Sequence, residues 1–556
     1  MNDSSVFTTL VVRILVPAKV VVIIDEPEMY LSEDLGRTSL RSSLALVGLP
    51  GIILWFCGLV VYRLYFHPLA RIPGPFLQRI SGLPRIWQCY VGNRYLCEAE
   101  AHEKYGSVVR TGPNSLVFST LSSLQTLHVK SANVFKGDEF YGLLDSGPAG
   151  GKSVQMIADN EAHSARRKLL DKAIPPREQV FRDIDELSQR LVSITEKEAN
   201  AHGGVVDVAT ATSWYSFDVI STIAFGQSFD MLRTHDWRWL PLCLQEMSAF
   251  LYAAGYAGGH ALLLKFFHWL LRTNWPSRLR FTTAVQAQKY ADLAADRVLD
   301  RGNRMKSQGD VTDSSRKDIF GYLMQAKVHN SADLTSESSL LIAAGSDAVR
   351  FSIAATVFYL LQNPEAKAKA VAEVRSLNLG SNDLSEAKVA SLKYLRACID
   401  EAMRLSPPKA GSIPRETAAG GIVIDGWAVP EGMSVATSTY TLHRDPDIYK
   451  QPYEYRPERW LERPHDPRLY AAFTPFIKGP RACPGKAVAY VAMQTALFHM
   501  LREFDIDGAG EVSGEVASSE HAAASRGRRS DYPFNDWIIG YTKGPFVRVT
   551  RVLKST

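Results

Sequence analysis

Cysteine is scarce in this chain of 556 residues: Cys57, Cys89, Cys97, Cys243, Cys398 and Cys483 are all there is. They are scattered and form no Cys-x-x-Cys pair. That excludes a disulfide framework and a zinc site of paired thiolates, and it points to a reducing compartment. Concentrated charge is also lacking. The formal net charge is +5, and the densest basic runs, Ala165–Lys168 and Arg526–Arg529, are short. A nucleic-acid face would gather its cations into a patch, so no nucleic-acid partner is expected. There are no internal repeats, and no histidine-bearing constellation that would activate a nucleophilic cysteine.

What is present begins with an uncharged run, Leu44–Tyr62, LALVGLPGIILWFCGLVVY. At ~1.5 Å per residue it covers most of the ~30 Å hydrocarbon layer of a bilayer. A collar of Tyr62, Arg63, Tyr65, His67 and Arg71 follows, while the preceding residues are slightly acidic, so the C-terminal side is expected in the cytosol. A buried core helix is the other reading of such a run. A signal peptide fits less well, because the run starts late and lacks a small-residue cleavage site. Upstream, Val6–Ile24 is apolar but broken by Arg13, Pro17 and Lys19. It reads as an interfacial segment, or as sequence ahead of an alternative start at Met29. The expected layout is a tail over 1–41, a single-pass transmembrane anchor over 42–66, a proline-rich hinge over 67–78 built on RIPGP (Arg71–Pro75), and one catalytic domain over 79–556.

Hydrophobic residues make up 46% of the chain, enough for a large core. The patterning predicts a mainly α protein with a minor β portion. YGSVVRTGPNSLVFST (Tyr105–Thr120) reads as two short strands around a turn. Glu161–Leu405 is largely helical. Gly420–Thr439 returns to strands around an Asp-Gly turn. Lys486–Phe504 is helical, Asp507–Asp531 a surface loop, and Phe546–Val552 a strand. Cys57, in an apolar run, and Cys398, in a helix, read as small buried hydrophobes.

Cys483 is different. It stands in PFIKGPRACPGKAV, just before a predicted helix whose unpaired N–H groups and positive dipole end would hold a thiolate. Gly485 lets another surface approach, Gly479 permits a tight bend, Arg481 suits an anion, and Phe476 offers an aromatic wall.

The spacing Phe-x-x-Gly-x-Arg-x-Cys-x-Gly resembles the cytochrome P-450 superfamily. The resemblance implies that Cys483 is the axial thiolate ligand of haem b, pushing electron density onto the iron. Further residues match. DEAMRLSPP supplies Glu401 and Arg404, three apart on one helix face, and YRPERW supplies Arg459. By resemblance these three form a structural network that holds the cysteine loop. His163 and Arg167 in EAHSARRKLL, and Arg415 in SIPRET, resemble the family's partners of the haem propionates. HRDP at His443–Pro446 also matches, and the whole resembles fungal membrane-bound members of the benzoate-hydroxylase-like and pisatin-demethylase-like kind.

One position departs from the pattern. In LLIAAGSDAVRFSIAATVFYLLQNP, capped by Thr335 and stopped by Asn363-Pro364, the family's oxygen-side motif gives Ala344, Gly345, Ser346 and Asp347, but Ala348 stands where the family has threonine. Gly345 is expected to open a groove over the haem. Protons would come through a water held by Asp347 or through a hydroxyl of the substrate, since Ser346 faces elsewhere and Ser352 lies a turn away. Arg350 is expected to face outward, or else to meet a substrate carboxylate.

The resemblance implies a monooxygenase in the endoplasmic reticulum membrane, monomeric, that oxidises a bulky apolar terpenoid, polyketide or alkaloid with O2 and electrons from NADPH through a separate reductase. Lys478, Arg481 and Lys486 would help dock that partner. Substrate-lining segments are expected at Phe140–Met156, Phe250–His260 and around Trp537. Ala348 keeps open a reductase-free isomerase or peroxide-driven oxidase. A non-catalytic membrane haem protein is the rival outside enzymes.

Overall fold

The structure, a computed structural model, describes residues 50–51, 53–137, 140–141, 151–257, 282–307, 317–327, 330–377, 384–462, 466–509 and 531–552. Val6–Ile24, the start of the expected anchor, and parts of the Phe140–Met156, Phe250–His260 and Asp507–Asp531 segments lie outside the described residues. Two units are distinguished, Met1–Tyr62 and Arg63–Thr556.

The apolar run is helical over Ile53–Phe66, ending in a π turn over Tyr62–Phe66. This described part is shorter than the ~20 residues of a full span. Its apolar residues lie on every face, so Leu54, Trp55 and Cys57 are exposed. The expectation of a buried Cys57 is corrected accordingly, whereas Cys398 is buried. Among the described residues, the helix long and apolar enough to cross a membrane is a different one, Ser331–Gln362, and 67% of its apolar window is buried inside the protein.

The second unit is mainly helical. The helices that position the site are α1 (Leu83–Val91), α2 (Arg94–Tyr105), α3 (Asn160–Ala173), α4 (Arg177–Ala201), α5 (Val208–Phe225), α6 (Leu240–Ala257), α7 (Ser331–Gln362), α8 (Lys393–Leu405) and α9 (Lys486–Glu503). α7 runs through the core, apolar on all sides, packed against α5, α8 and α9. Its cap is Asn330, whose side chain accepts from Asp333 N, and not Thr335. The helix therefore starts a turn before the predicted cap, and the Thr335 hydroxyl donates to Ser331 O instead. Asn363 closes it, donating from Nδ2 to Tyr359 O at 2.7 Å.

The strands are β1 (Val108–Gly112), β2 (Ser115–Phe118), β3 (Val134–Phe135), β4 (Val205–Asp207), β5 (Arg415–Thr417), β6 (Ile422–Ile424), β7 (Trp427–Val429), β8 (Ser434–Thr437), β9 (Phe504–Gly508), β10 (Asn535–Trp537), β11 (Ile539–Tyr541) and β12 (Phe546–Arg551). The largest sheet has the order β1-β2-β8-β5-β3, with β2 and β8 parallel in the register Leu116↔Val435. It fixes Arg415 at the start of β5. A second sheet orders β4-β12-β9, and β6–β7 and β10–β11 are separate hairpins. The predicted Asp-Gly turn joins β6 to β7, with positive φ at both Asp425 (49°) and Gly426 (80°). The proline-rich elbow is strapped to β1: Arg110 N donates to Pro73 O, and any Cβ on Gly74 would lie 2.2 Å from Arg110 O.

Candidate active site

The loop before α9 carries Cys483. It bends at Ile477 (φ 61°) and Gly479 (φ 70°), and Cys483 N closes it on Phe476 O at 2.9 Å. A side chain at 479 would put its Cβ 1.7 Å from His128 O, so glycine is required there. Gly485 caps α9, and backbone N–H groups of Gly485 and Lys486 are directed at the Cys483 sulfur. The thiol is exposed at its surface although protein surrounds it. Burial pushes its pKa up, while those two N–H groups and Arg167 favour the thiolate. A Cβ at Gly485 would have only Cys483 Sγ nearby, at 3.8 Å. Phe476 packs on Tyr490, ring centroids 5.0 Å apart.

Behind this loop lies a buried charge network. Glu401 and Arg404, one helical turn apart on α8, are both fully buried and pair through two bonds, Nε–Oε2 at 3.0 Å and Nη2–Oε1 at 2.8 Å. Arg459 Nε donates to Glu401 Oε1 at 3.0 Å, Trp460 Nε1 to Oε2 at 3.0 Å, and Arg456 N to Oε1 at 3.0 Å. Burial raises the Glu401 carboxyl, but Arg404, Arg459 and these donors outweigh it and hold the pKa below its ordinary value. Arg404 also donates to His443 O and Pro452 O. His443 Nε2 accepts from Thr474 N at 2.9 Å, so its proton sits on Nδ1, which donates to Arg404 O at 3.2 Å. Burial, then Arg404, push that imidazole down to about 3. The chain of contacts thus runs from Glu401 through Arg404 and His443 to Thr474, two residues before Phe476.

A third group is cationic. His163 on α3 is pushed down to about 4 by burial and by Arg481, Lys136, Arg167 and Arg415. Arg481 donates to Ile157 O (2.6 Å), Ala158 O (2.8 Å) and Asn160 Oδ1 (3.0 Å). Arg415 donates to the Tyr141 hydroxyl at 3.3 Å and to Pro414 O. Arg167 differs from its expected place: its guanidinium donates to Asp171 and to Ala482 O, next to Cys483. Lys136, which no motif singled out, is buried here, and its ammonium donates to Gln155 O.

On α7, Ala344 is exposed and Ala348 partly so, while Ser346 and Asp347 are buried. Gly345 does not open a groove of its own. A Cβ there would meet Ile220 of α5 at 2.4 Å, so this glycine is where two helices cross. Gly345→Ala should overpack that crossing and cost about 1–3 kcal/mol, read as a lower thermal midpoint. Asp347 Oδ2 accepts from the Tyr541 hydroxyl of β11 at 2.5 Å, and Ser248 of α6 lies 3.3 Å from the same hydroxyl. Burial pushes the Asp347 carboxyl up, against the pull of Arg350 and Tyr541. Arg350, expected outward, is buried. Its Nε lies 3.6 Å from Asp347 Oδ1 and its guanidinium stands 5.0 Å from the Tyr541 ring centroid. Ser352 donates to Ala348 O at 2.8 Å, so its hydroxyl is spent within the helix.

The family model of Cytochrome P450 matches residues 85–520. The chain belongs to the cytochrome P450 family. A cytochrome P450 monooxygenase of Fusarium equiseti, fscF, is 31% identical over 516 residues, 89% of this chain and 94% of the relative. Averantin hydroxylase of Dothistroma septosporum is 30% identical, covering 83% and 85% of the two chains. Trichothecene C-15 hydroxylase of Fusarium sporotrichioides is 30% identical, covering 84% and 93%. The chain is therefore read as a P450 monooxygenase, an enzyme that uses haem with a cysteine thiolate ligand, a redox partner and a small organic substrate.

The residues of this P450 fit that cofactor. A thiol with two N–H groups aimed at it opens on one side, and among the described residues Arg415, Arg481 and Lys136 form no ion pair. Cations gathered without a carboxylate partner suit a dianionic group such as paired propionates. Lys136 gave no signal in the sequence because its contacts, to Gln155 O and the Tyr141 ring, follow no motif spacing, and the bond from Arg415 to Tyr141 spans 274 residues.

Proposed function

We propose that this P450 inserts oxygen into a bulky natural-product intermediate of fungal secondary metabolism, drawing electrons from NADPH through a reductase at the endoplasmic reticulum membrane. The observation that carries the reading is Cys483: a lone thiol at the head of α9, facing backbone donors, in a loop braced by Glu401, Arg404 and Arg459. Haem bound there supplies the oxidising chemistry. The chain's own residues do the rest. Cys483 holds the iron, Gly485 and Lys486 N–H groups stabilise the thiolate, and Arg415, Arg481, Lys136 and His163 orient the propionates. A water held by Asp347 delivers protons near Ala348, with Tyr541 and Arg350 fixing the carboxyl. Lys486, exposed beside the loop, helps dock the reductase, and the Ile53–Phe66 helix belongs to the membrane anchor.

The test is metabolite mass spectrometry on the source fungus carrying Cys483→Ala. The expected result is accumulation of a compound one oxygen lighter than the lost product. A compound of unchanged mass would instead select a rearranging, reductase-free reaction, the reading that Ala348 and the diverted Ser352 hydroxyl favour.

A further inference from the structure

Of residues 401–415, all are buried except Lys409, which is partly exposed. It lies on the segment that joins α8 to β5. Its ammonium stands 5.9 Å from the centre of the Phe140 ring, and Phe140 packs in turn on Tyr252 and Tyr256 of α6. The β10–β11 hairpin closes the other side: Gly540 N donates to Pro408 O, and Tyr252 donates to Asp536 Oδ2 at 3.1 Å. Lys409 therefore sits at the aromatic cluster in which the three expected substrate-lining segments meet: it lies near Phe140, which packs on α6 and shares that cluster with Trp537.

The charges around it are already engaged. Arg94 pairs with Glu98 at 3.2 Å and donates to Ser412 and Tyr256. Arg415 donates to Tyr141. Lys409 alone in this group has no hydrogen-bond or ion-pair partner among the described residues. Asp536, whose Oδ1 is buried without a partner, is near enough to act on it but is not within ion-pair distance. An ammonium that the protein leaves unpaired at the edge of an aromatic wall is free to pair with an anionic group.

We infer that Lys409 is the polar anchor of the substrate site and selects a substrate with a carboxylate, or another anionic oxygen, on an apolar body. This rests on the reading that those three segments line the site. It narrows the scaffolds to acid-bearing terpenoids or polyketides and disfavours alkaloids, whose protonated amine the lysine repels. Burial, with Arg94 and Arg415, brings the amine down to about 8, while Asp536 pulls the other way. Affinity for an acid should thus fall as pH rises through about 8 and the ammonium loses its proton.

Calorimetric titration of the holoenzyme tests this with abietic acid, its methyl ester and dehydroabietylamine. The unaltered enzyme should bind the acid tightest. Lys409→Met should weaken the acid on the order of ten- to a hundredfold and leave the ester within about twofold. Haem content and the thiolate spectrum of the reduced carbonyl complex should stay the same, which separates a substrate anchor from a propionate partner. The inference is overturned if the acid binds no tighter than the ester, if the substitution weakens both alike, or if it lowers haem content. Calorimetry reads binding whether or not product forms, so failure of the monooxygenase reading shows separately, as absence of NADPH-dependent product.

Discussion

Cys483→Ala should drop turnover by at least about three orders of magnitude, roughly 4 kcal/mol of transition-state stabilisation, and abolish the thiolate spectrum of the reduced carbonyl complex. The size follows from what the sulfur does. As the proposed ligand, it is the group through which electron density would reach the iron, and alanine offers no lone pair in its place. Folding should survive, because the loop is closed by backbone atoms, Cys483 N to Phe476 O, and braced from behind by His443 and Thr474. Cys97→Ser is the control. Cys97 is partly buried on α2 and should keep both spectrum and turnover. If the thiolate spectrum persisted in Cys483→Ala and vanished in Cys97→Ser, the ligand assignment would be wrong.

Glu401→Ala should prevent haem-loaded protein from accumulating at all. Glu401 is fully buried and accepts from Arg404, Arg459, Trp460 and Arg456 N. Its removal strands two buried guanidiniums without a counter-charge, a loss of about 3–5 kcal/mol. A folded domain has a margin of only about 5–15 kcal/mol. The contrast is Lys367→Ala, which breaks a pair with the largely exposed Asp507 at 2.9 Å and should cost below about 1 kcal/mol. The measurement is the haem-to-protein ratio after purification, beside the urea midpoint. A normal ratio in Glu401→Ala would show that the network does not support the cysteine loop.

Much of this site was legible in the sequence because its chemistry demands fixed spacings. Gly479, Cys483 and Gly485 must stand at set intervals to bend a loop into a helix N-terminus. Glu401 and Arg404 must be three apart to share a helix face. The Asp425-Gly426 turn was equally plain, since two consecutive positive φ angles call for those residues. What stayed hidden has physical reasons as well. α7 is apolar on every face, so periodicity could not say that Gly345 meets Ile220 or that Arg350 turns inward. Three-residue strands such as β10 and β11 are too short to alternate, so the hairpin that carries Asp536 and Tyr541 gave no signal. Asn330 and Thr335 are both good caps, and the earlier one goes with the contacts of the first turn, where Ala332 packs on Gly151 and Asp333 accepts from Lys152 N. Lys409 sits in a stretch that reads as ordinary connection between helix and strand.

The brace behind the cysteine loop joins residues 401–404, 443, 450–460 and 474, each delivered at a different time as the polypeptide is synthesised. The brace is whole only when all are present, because Arg404 reaches the carbonyls of His443, Pro452 and Glu454, and Arg459 those of Lys450 and Gln451. The ribosome must therefore have passed residue 483 before the thiol can be held in place, so a cofactor bound there would enter late in assembly.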